Sequence, residues 1–173
     1  MSKKYRLQDF SEISDRGVFV DANVIIYLFW PTGQHNFENN YARVFRSLLR
    51  QGNTLFTNFL VISEVINRVV RIEHKKLNPN SNFKNFRNSE EGKDVLEDIF
   101  IIVKNDILSR FKVAEKSFNV DEIENFLKVD QLDFVDKGLA SICKENNLVI
   151  LTNDRDFKNS GLDILTGNTR ILN

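Results

Sequence analysis

The apolar run GVFVDANVIIYLFW, residues 17–30, is interrupted by two polar side chains, Asp21 and Asn23. The apolar residues on both sides predict that this segment is buried. Burying a carboxylate costs several kcal/mol unless it is paired or binds a metal ion. We expect GVFV to form a short buried strand, and ANVIIYLFW either to begin a helix or to continue the strand. The carboxylate at their junction is expected to have a functional partner.

The composition favours a soluble globular protein. The chain has 173 residues, of which 42% are hydrophobic and 28% are charged. Its 24 basic and 24 acidic residues give no net charge, which argues against a uniformly basic nucleic-acid-binding surface but allows local basic patches. No apolar run reaches the ~18 residues of a membrane span, and the N-terminus lacks the apolar core of a signal peptide. Since Cys143 is the single cysteine, we expect one cytoplasmic domain over residues 1–173, with Cys143 in its core.

Strand-like and helix-like stretches alternate along the chain. GVFV, TLFT, LVILT and GLDILTGN have the composition of short strands, the last of them at a sheet edge, and apolar residues recur at helical spacing between them. The polar stretch LNPNSNFKNFRNSEEG is typical of a loop. The alternation predicts an α/β fold in which helices cover both faces of a central parallel sheet.

Four acidic residues should meet at one edge of that sheet, because ligands bind beyond the carboxyl ends of parallel strands. Asp21 follows GVFV, and Asp154 follows LVILT after one intervening residue. Glu64 lies in the helix after TLFT, and Asp136 lies in the helix before LVILT. Convergent carboxylates repel each other, and a divalent cation relieves that repulsion. Mg²⁺ and Mn²⁺ are the favoured candidates because they prefer oxygen ligands.

Each of these polar positions also has a purely structural interpretation. The spacing of Glu64 and Arg68 favours a surface ion pair along one helix. Asp154 could begin a turn, and Asn23 could cap the following helix. Thr152 could either support the acidic site through its hydroxyl or simply end a strand.

Asp133 and Asp136 lie close together at the start of one predicted helix. Asp133 is placed to cap the free N–H groups of that helix, and Asp136 could complete a capping arrangement with it. On a helical wheel, Asp136 lies on the flank of the apolar stripe and Asp133 lies farther round. Periodicity alone leaves both roles open for Asp136.

Two other enzyme classes with an aspartate after a strand fit less well. A haloacid-dehalogenase-type phosphatase needs a second carboxylate where this chain has Asn23, and a receiver domain needs a lysine where LVILTNDRDF supplies aspartate. No Gly-rich phosphate-binding loop of the G-x-x-x-x-G-K type is present. His35 and His74 lie in polar surroundings, so we expect both at the surface rather than in a metal site.

Three motifs in order, VFVDANVIIYLF, LFTNFLVISEVINRV and FVDKGLASICKENNLVILTNDRDF, resemble the PIN-domain family of metal-dependent ribonucleases. The resemblance implies a three-layer α/β/α fold with a central parallel sheet. It places the acidic metal site of the family on Asp21, Glu64, Asp136 and Asp154, with Asn23 beside the first acid. Many small members are VapC-type toxins, and residues 74–118 form a longer helical region than a minimal toxin needs.

The resemblance also implies an activity. It predicts an endoribonuclease that depends on Mg²⁺ or Mn²⁺ and cleaves RNA with a metal-activated water, as the toxin of a toxin–antitoxin pair. A cognate antitoxin and a second copy of the chain are the protein partners that this implies. The alternative is a catalytically silent PIN-like module that binds RNA or protein.

A basic run leads out of the helix that carries Glu64. Its members, Arg68, Arg71, Lys75 and Lys76, are either a solvated helix face or a surface that follows an RNA backbone toward the acids. In the second case Phe83 and Phe86 would be available to stack on bases.

Overall fold

A computed structural model, which describes residues 2–173, shows a six-stranded parallel sheet flanked by helices. The strands are β1 (Lys4–Arg6), β2 (Val18–Val20), β3 (Leu55–Thr57), β4 (Lys112–Val113), β5 (Val149–Leu151) and β6 (Ile164–Thr166). The helices are α1 (Ala22–Phe29), α2 (His35–Gln51), α3 (Phe59–Leu77), α4 (Phe83–Asn88), α5 (Glu90–Ile102), α6 (Val120–Phe126), α7 (Phe134–Glu145) and α8 (Thr169–Leu172). Two 3₁₀ helices, Leu7–Ile13 and Arg155–Asn159, and a π-helical turn, Val103–Ile107, complete the secondary structure of the described residues.

The strand order is β1-β6-β5-β2-β3-β4, and every neighbouring pair is parallel. Strands β2, β5 and β6 are buried along their whole length, which explains their near-continuous apolar sequences. The predicted α/β class with a central parallel sheet is confirmed. None of the helices in residues 2–173 is both long and apolar enough to cross a membrane.

The central strands bring distant residues to one edge of the sheet. Strand β2 lies between β5 and β3, with Val20 opposite Leu151 and Phe19 opposite Phe56. Asp21 comes directly after β2, and its N–H donates to the carbonyl of Leu151 at 3.1 Å. The segments that follow β2, β3 and β5 therefore emerge side by side.

Two secondary-structure expectations are wrong. Strand β6 is not an edge strand, because β1 pairs with it outside, Lys4 opposite Ile164. The stretch expected to be a loop contains α4 and the start of α5. Asn82 and Ser89 cap these two helices through their side chains, so residues typical of loops act here as helix N-caps.

The region of residues 74–118 is built from the end of α3, α4, α5, the π-helical turn and β4. Helices α4 and α5 meet at Gly92, which is buried. A Cβ atom at this position would overlap with the main-chain oxygen of Phe86. The close approach of the two helices therefore requires glycine.

Gly92→Ala should destabilise the protein by roughly 1–3 kcal/mol or more, because the new methyl group forces α4 away from α5. Gly138→Ala is the matched control. A Cβ there meets only Phe118 Cζ at 3.8 Å, so this change inside α7 should stabilise by roughly 0.5–1 kcal/mol. Denaturant unfolding measures both, and equal effects of the two changes would contradict this account of α4 and α5.

Candidate functional site

Asp21 is the most buried carboxylate of the predicted site, with 5% of its surface exposed. Its Oδ1 accepts a hydrogen bond from the N–H of Ala22 at 2.7 Å, so Asp21 caps α1. Its Oδ2 accepts from Asn23 Nδ2 at 2.7 Å and from Thr152 Oγ1 at 2.6 Å. Three donors, one of them at the N-terminus of α1, therefore offset part of the loss of hydration that made this residue unexpected in an apolar run.

Thr152 joins two of the predicted acids. Its side chain is fully buried. The hydroxyl donates to Asp21 and accepts from the main-chain N–H of Asp154 at 2.9 Å. Thr152 therefore contacts two of the predicted acids through its hydroxyl. It also directly follows the end of β5.

Asn23 does not cap α1, since Asp21 occupies that position. Instead Asn23 lies in the first turn, buried, and its Oδ1 accepts from the N–H of Asn153 at 3.1 Å. Because its Nδ2 donates to Asp21, Asn23 ties the carboxylate to the loop after β5.

Asp154 has two roles at once. Its Oδ1 accepts from the N–H of Asp156 at 3.0 Å and begins the 3₁₀ helix Arg155–Asn159, as the turn interpretation predicts. Its negative charge also raises the pKa of Asp21, so the two carboxylates lie within electrostatic reach.

Glu64 likewise combines both interpretations. Its Oε1 accepts from Arg68 Nη1 at 3.0 Å, and the Glu64 side chain is 40% exposed, which is the predicted surface pair. The charge of Glu64 nevertheless raises the pKa of Asp21 and of Asp136. The pair therefore lies at the rim of the acidic site.

Asp136 lies in the first turn of α7, where Asp133 Oδ1 accepts from its N–H at 2.8 Å. Asp133 is thus the N-cap, as predicted, whereas the Asp136 side chain makes no hydrogen bond within residues 2–173. The pKa of Asp136 is raised to about 7, mainly by burial and in smaller measure by the charges of Asp133, Asp21, Asp154 and Glu64.

Burial, rather than repulsion, is also the main reason why the pKa of Asp21 rises to about 6. The hydrogen bonds from Thr152 and Ala22 oppose that rise, and the charges of Glu64 and Asp154 add to it. The charges of Glu64 and Asp154 thus act on both Asp21 and Asp136, and the charge of Asp21 acts on Asp136. The structure therefore places Asp21, Glu64 and Asp154 within electrostatic reach of Asp136.

The donor set fits a hard divalent cation. All four candidate ligands, Asp21, Glu64, Asp136 and Asp154, are carboxylates, and such oxygens suit Mg²⁺ or Mn²⁺. Within residues 2–173 no three His, Cys, Asp or Glu side chains are arranged to hold an ion by themselves. Mg²⁺ usually binds through one or two carboxylates and keeps several waters, so a site of this openness is compatible with it.

Tyr41 was not predicted as part of this region, because it lies in the apolar stripe of α2. Its buried hydroxyl lies 3.1 Å from the carbonyl of Thr152 and 3.0 Å from Asn153 Oδ1, and accepts from the N–H of Gly167 at 3.1 Å. Asn168 Nδ2 donates to the carbonyl of Asn153 at 2.7 Å. These contacts fix the loop after β5, and no sequence pattern indicated them.

The basic run after Glu64 makes several contacts within the protein. Arg68 pairs with Glu64, and the guanidinium of Arg71 lies 4.0 Å from the centre of the Phe83 ring. Lys76 Nζ contacts Glu73 Oε1 at 2.7 Å and the carbonyl of Pro31 at 3.1 Å. Lys75 is exposed. The role of this run in RNA binding stays a prediction.

Two expectations about residues near that run are wrong. Phe86 is buried and cannot stack on a base. His74 is half-buried, with its ring centre 5.0 Å from that of Phe86 and its Nε2 3.0 Å from the carbonyl of Ser81. His35 is exposed and Cys143 is buried in the core, as predicted.

Comparison with known proteins identifies a family. The family model described as PIN domain matches residues 18–161, which include all four acidic positions. No curated protein matches the chain. The crystal structure of PAE2754 from Pyrobaculum aerophilum is 18% identical to it, with 91% of this chain and 88% of the other covered and a TM-score of 0.48. The crystal structure of VapBC2 from Rickettsia felis bound to a DNA fragment from their promoter is also 18% identical, with 86% and 97% covered and a TM-score of 0.46.

Asp136→Asn should stabilise the metal-free protein at about pH 8 and have little effect at about pH 4. The native carboxyl has a pKa of about 7, against about 3.9 for an unfolded chain. The native state therefore binds this proton more tightly, and the free energy of unfolding falls as the pH rises between those two values. Asn cannot ionise, so the free energy of unfolding of the variant does not fall in this way as the pH rises.

Denaturant unfolding in EDTA at both pH values measures the difference between wild type and variant. The acidic sample is the internal control, because at about pH 4 the native carboxyl is protonated and the unfolded one is still roughly half protonated, so little of the loss has developed. A difference that is the same at both pH values would contradict the assignment of the raised pKa to Asp136.

Proposed function

We propose, since this chain belongs to the PIN domain family, whose members are generally nucleases, that it is an endoribonuclease dependent on Mg²⁺ or Mn²⁺. The observation that supports this most is the carboxylate of Asp21, buried at the carboxyl end of β2 and oriented by Thr152 and Asn23. A side chain held in this way, within electrostatic reach of Glu64 and Asp154, is suited to bind a cation rather than to stabilise the fold.

The residues have distinct roles in the proposed reaction. Asp21 is the fixed ligand, and Thr152 sets both its orientation and the position of Asp154. A bound Mg²⁺ or Mn²⁺ would lower the pKa of a water molecule and stabilise negative charge on the phosphate. The carboxyl of Asp136, which makes no hydrogen bond within residues 2–173, is free to bind the cation or to orient the attacking water.

The bond changes follow from hydrolysis of a phosphodiester. The water oxygen attacks the phosphorus in line, the P–O3′ bond breaks, and the departing O3′ takes up a proton that the water loses. The products carry 5′-phosphate and 3′-hydroxyl ends, as the family resemblance implies. Glu64, at the rim and paired with Arg68, completes the proposed ligand set.

A catalytically silent binding module is the weaker proposal. Asp21, Glu64, Asp136 and Asp154 would repel an RNA phosphate unless a cation lay between them. Their mutual proximity therefore favours catalysis over metal-free RNA binding.

The resemblance of the three motifs to VapC-type toxins supports a further part of the proposal. A cognate antitoxin protein and a second copy of this chain are the partners that it implies. Co-purification with the product of the neighbouring gene tests the first, and the solution mass of the isolated protein tests the second.

The purified protein should cleave mixed RNAs in Mn²⁺, and Asp21→Asn and Asp136→Asn should each reduce the rate at least ~100-fold, equivalent to about 2.7 kcal/mol of barrier. Both changes remove a carboxylate from the acidic site but keep the size of the side chain. Gel analysis of end-labelled RNA measures the rate and identifies the product ends.

Asp133→Asn is the matched control, because Asp133 lies on the same turn and caps α7. Since Asn also caps well, this change should cost about 1 kcal/mol or less in stability and keep most of the activity. Equal cleavage by wild type and Asp21→Asn would refute the nuclease proposal. A dead Asp133→Asn beside an active Asp136→Asn would show that the third acid is misplaced.

A further inference from the structure

A pocket opens at the same edge of the sheet as the acidic site. It has a volume of about 560 Å³ and lies between the end of β1, the end of β6 and α2. Strands β1, β6, β5 and β2 are neighbours in that order and all parallel. The carboxyl ends of β1 and β6, which form the pocket, therefore lie in line with those that carry Asp21 and Asp154.

Hydrogen bonds connect this pocket to the acidic site. Gly167 lines the pocket, and its N–H donates to the hydroxyl of Tyr41 at 3.1 Å. That hydroxyl lies 3.1 Å from the carbonyl of Thr152, the residue that orients Asp21. Since neighbouring strands lie about 5 Å apart, β6 is roughly 10 Å from β2. An extended nucleic-acid strand bound at the acids would reach the pocket within a few nucleotides.

The pocket is positively charged. Arg6 and Arg43 line it, both are exposed, and neither takes part in a salt bridge within residues 2–173. No Asp or Glu side chain lines the pocket. Asp9, near in sequence, accepts from the main-chain N–H of Arg6 at 2.9 Å. The two guanidinium groups are therefore free to bind an anion from solvent.

The positive charge continues along α2. Arg43, Arg46 and Arg50 follow each other at spacings of three and four residues, so they lie on one face of the helix. All three are exposed. Positions three or four residues away from them carry Asn, Ala, Ser, Leu, Thr or another Arg, and no acid. This face, defined by Arg43, Arg46 and Arg50, leads from the pocket toward the opposite edge of the sheet.

We infer that the pocket at Arg6 and Arg43 is a subsite for the backbone of a single-stranded RNA substrate, and that Arg46 and Arg50 extend it along α2. This inference rests on the proposed nuclease function. The planar guanidinium group binds two phosphate oxygens at once. Leu7 and Phe10, which also line the pocket, offer an apolar surface to a base.

The charge of the acidic site explains why such a subsite is needed. Four carboxylates near the scissile phosphate contribute repulsion, so most of the affinity for RNA has to come from contacts elsewhere on the strand. On the other side of the site, Arg68 is paired with Glu64 and Arg71 packs on Phe83. The free arginines at the pocket are the better placed source of phosphate contacts.

The test compares wild type with the double variant Arg6→Gln/Arg43→Gln. Binding of a fluorescent single-stranded dodecanucleotide RNA is measured by anisotropy in EDTA over a series of KCl concentrations. Loss of two phosphate contacts should reduce the slope of log affinity against log salt by roughly 1.4.

Lys104→Gln/Lys112→Gln is the matched control, since it also removes two exposed cations but lies in the π-helical turn and β4. It should leave the slope unchanged, and circular dichroism should show that all the variants are folded. An unchanged slope in the arginine variant would overturn the subsite while leaving the cleavage result intact. A slope reduced equally by both double variants would show a non-specific charge effect and would also overturn it.

The two proposals fail in different ways. If wild type does not cleave RNA but the arginine variant loses salt-dependent binding, the RNA-binding role of the pocket stands and the nuclease proposal falls. If inorganic phosphate binds at the pocket but the arginine changes leave the salt slope of dodecanucleotide binding unchanged, the pocket binds a free anion and the inference is wrong.

Discussion

The hydrogen bond from Thr152 Oγ1 to Asp21 Oδ2, 2.6 Å long, joins two neighbouring strands at the point where both end. It exists because β2 and β5 pair in parallel with Val20 opposite Leu151. A shift of one residue in that register would turn each side chain to the opposite face of the sheet. The packing of the apolar strands and the orientation of the buried carboxylate therefore depend on the same pairing.

The acidic site is a compromise between burial and hydration. Desolvation raises the pKa of Asp21 and Asp136 more than the neighbouring negative charges do. Thr152 and the N–H of Ala22 recover part of that cost at Asp21, whereas Asp136 makes no side-chain hydrogen bond in the described part of the chain. Asp21, with a pKa of about 6, is therefore mostly charged at neutral pH, whereas Asp136, with a pKa of about 7, lies close to the midpoint of its titration there.

Much of the fold could be predicted from the sequence, because buried parallel strands are near-continuous apolar runs and amphipathic helices have a clear period. Strand β1 was missed since it lies in a polar segment and buries only Tyr5. Helix α4 was missed because Asn and Ser residues that favour loops act there as helix caps.

The candidate site, too, could be predicted only in part from the sequence. Strand ends indicated where Asp21 and Asp154 lie, but periodicity favoured a surface pair for Glu64, and that pair does form. Sequence spacing carries no information on the contacts of Tyr41, which looks like an ordinary core residue yet binds three groups around β5 and β6. The direction of a hydroxyl group depends on tertiary packing, which no local pattern records.

The central claim is that the buried carboxylate of Asp21 binds a divalent cation. Thermal unfolding in Mn²⁺ tests this most directly. Ligand that binds only the native state raises the stability by RT ln(1 + [L]/Kd), so the melting temperature of wild type should rise steadily with Mn²⁺ concentration near neutral pH. Asp21→Asn should lose most of that rise, and Asp133→Asn should keep it. A wild type that does not respond to millimolar Mn²⁺, or an Asp21→Asn variant that responds equally, would contradict the account.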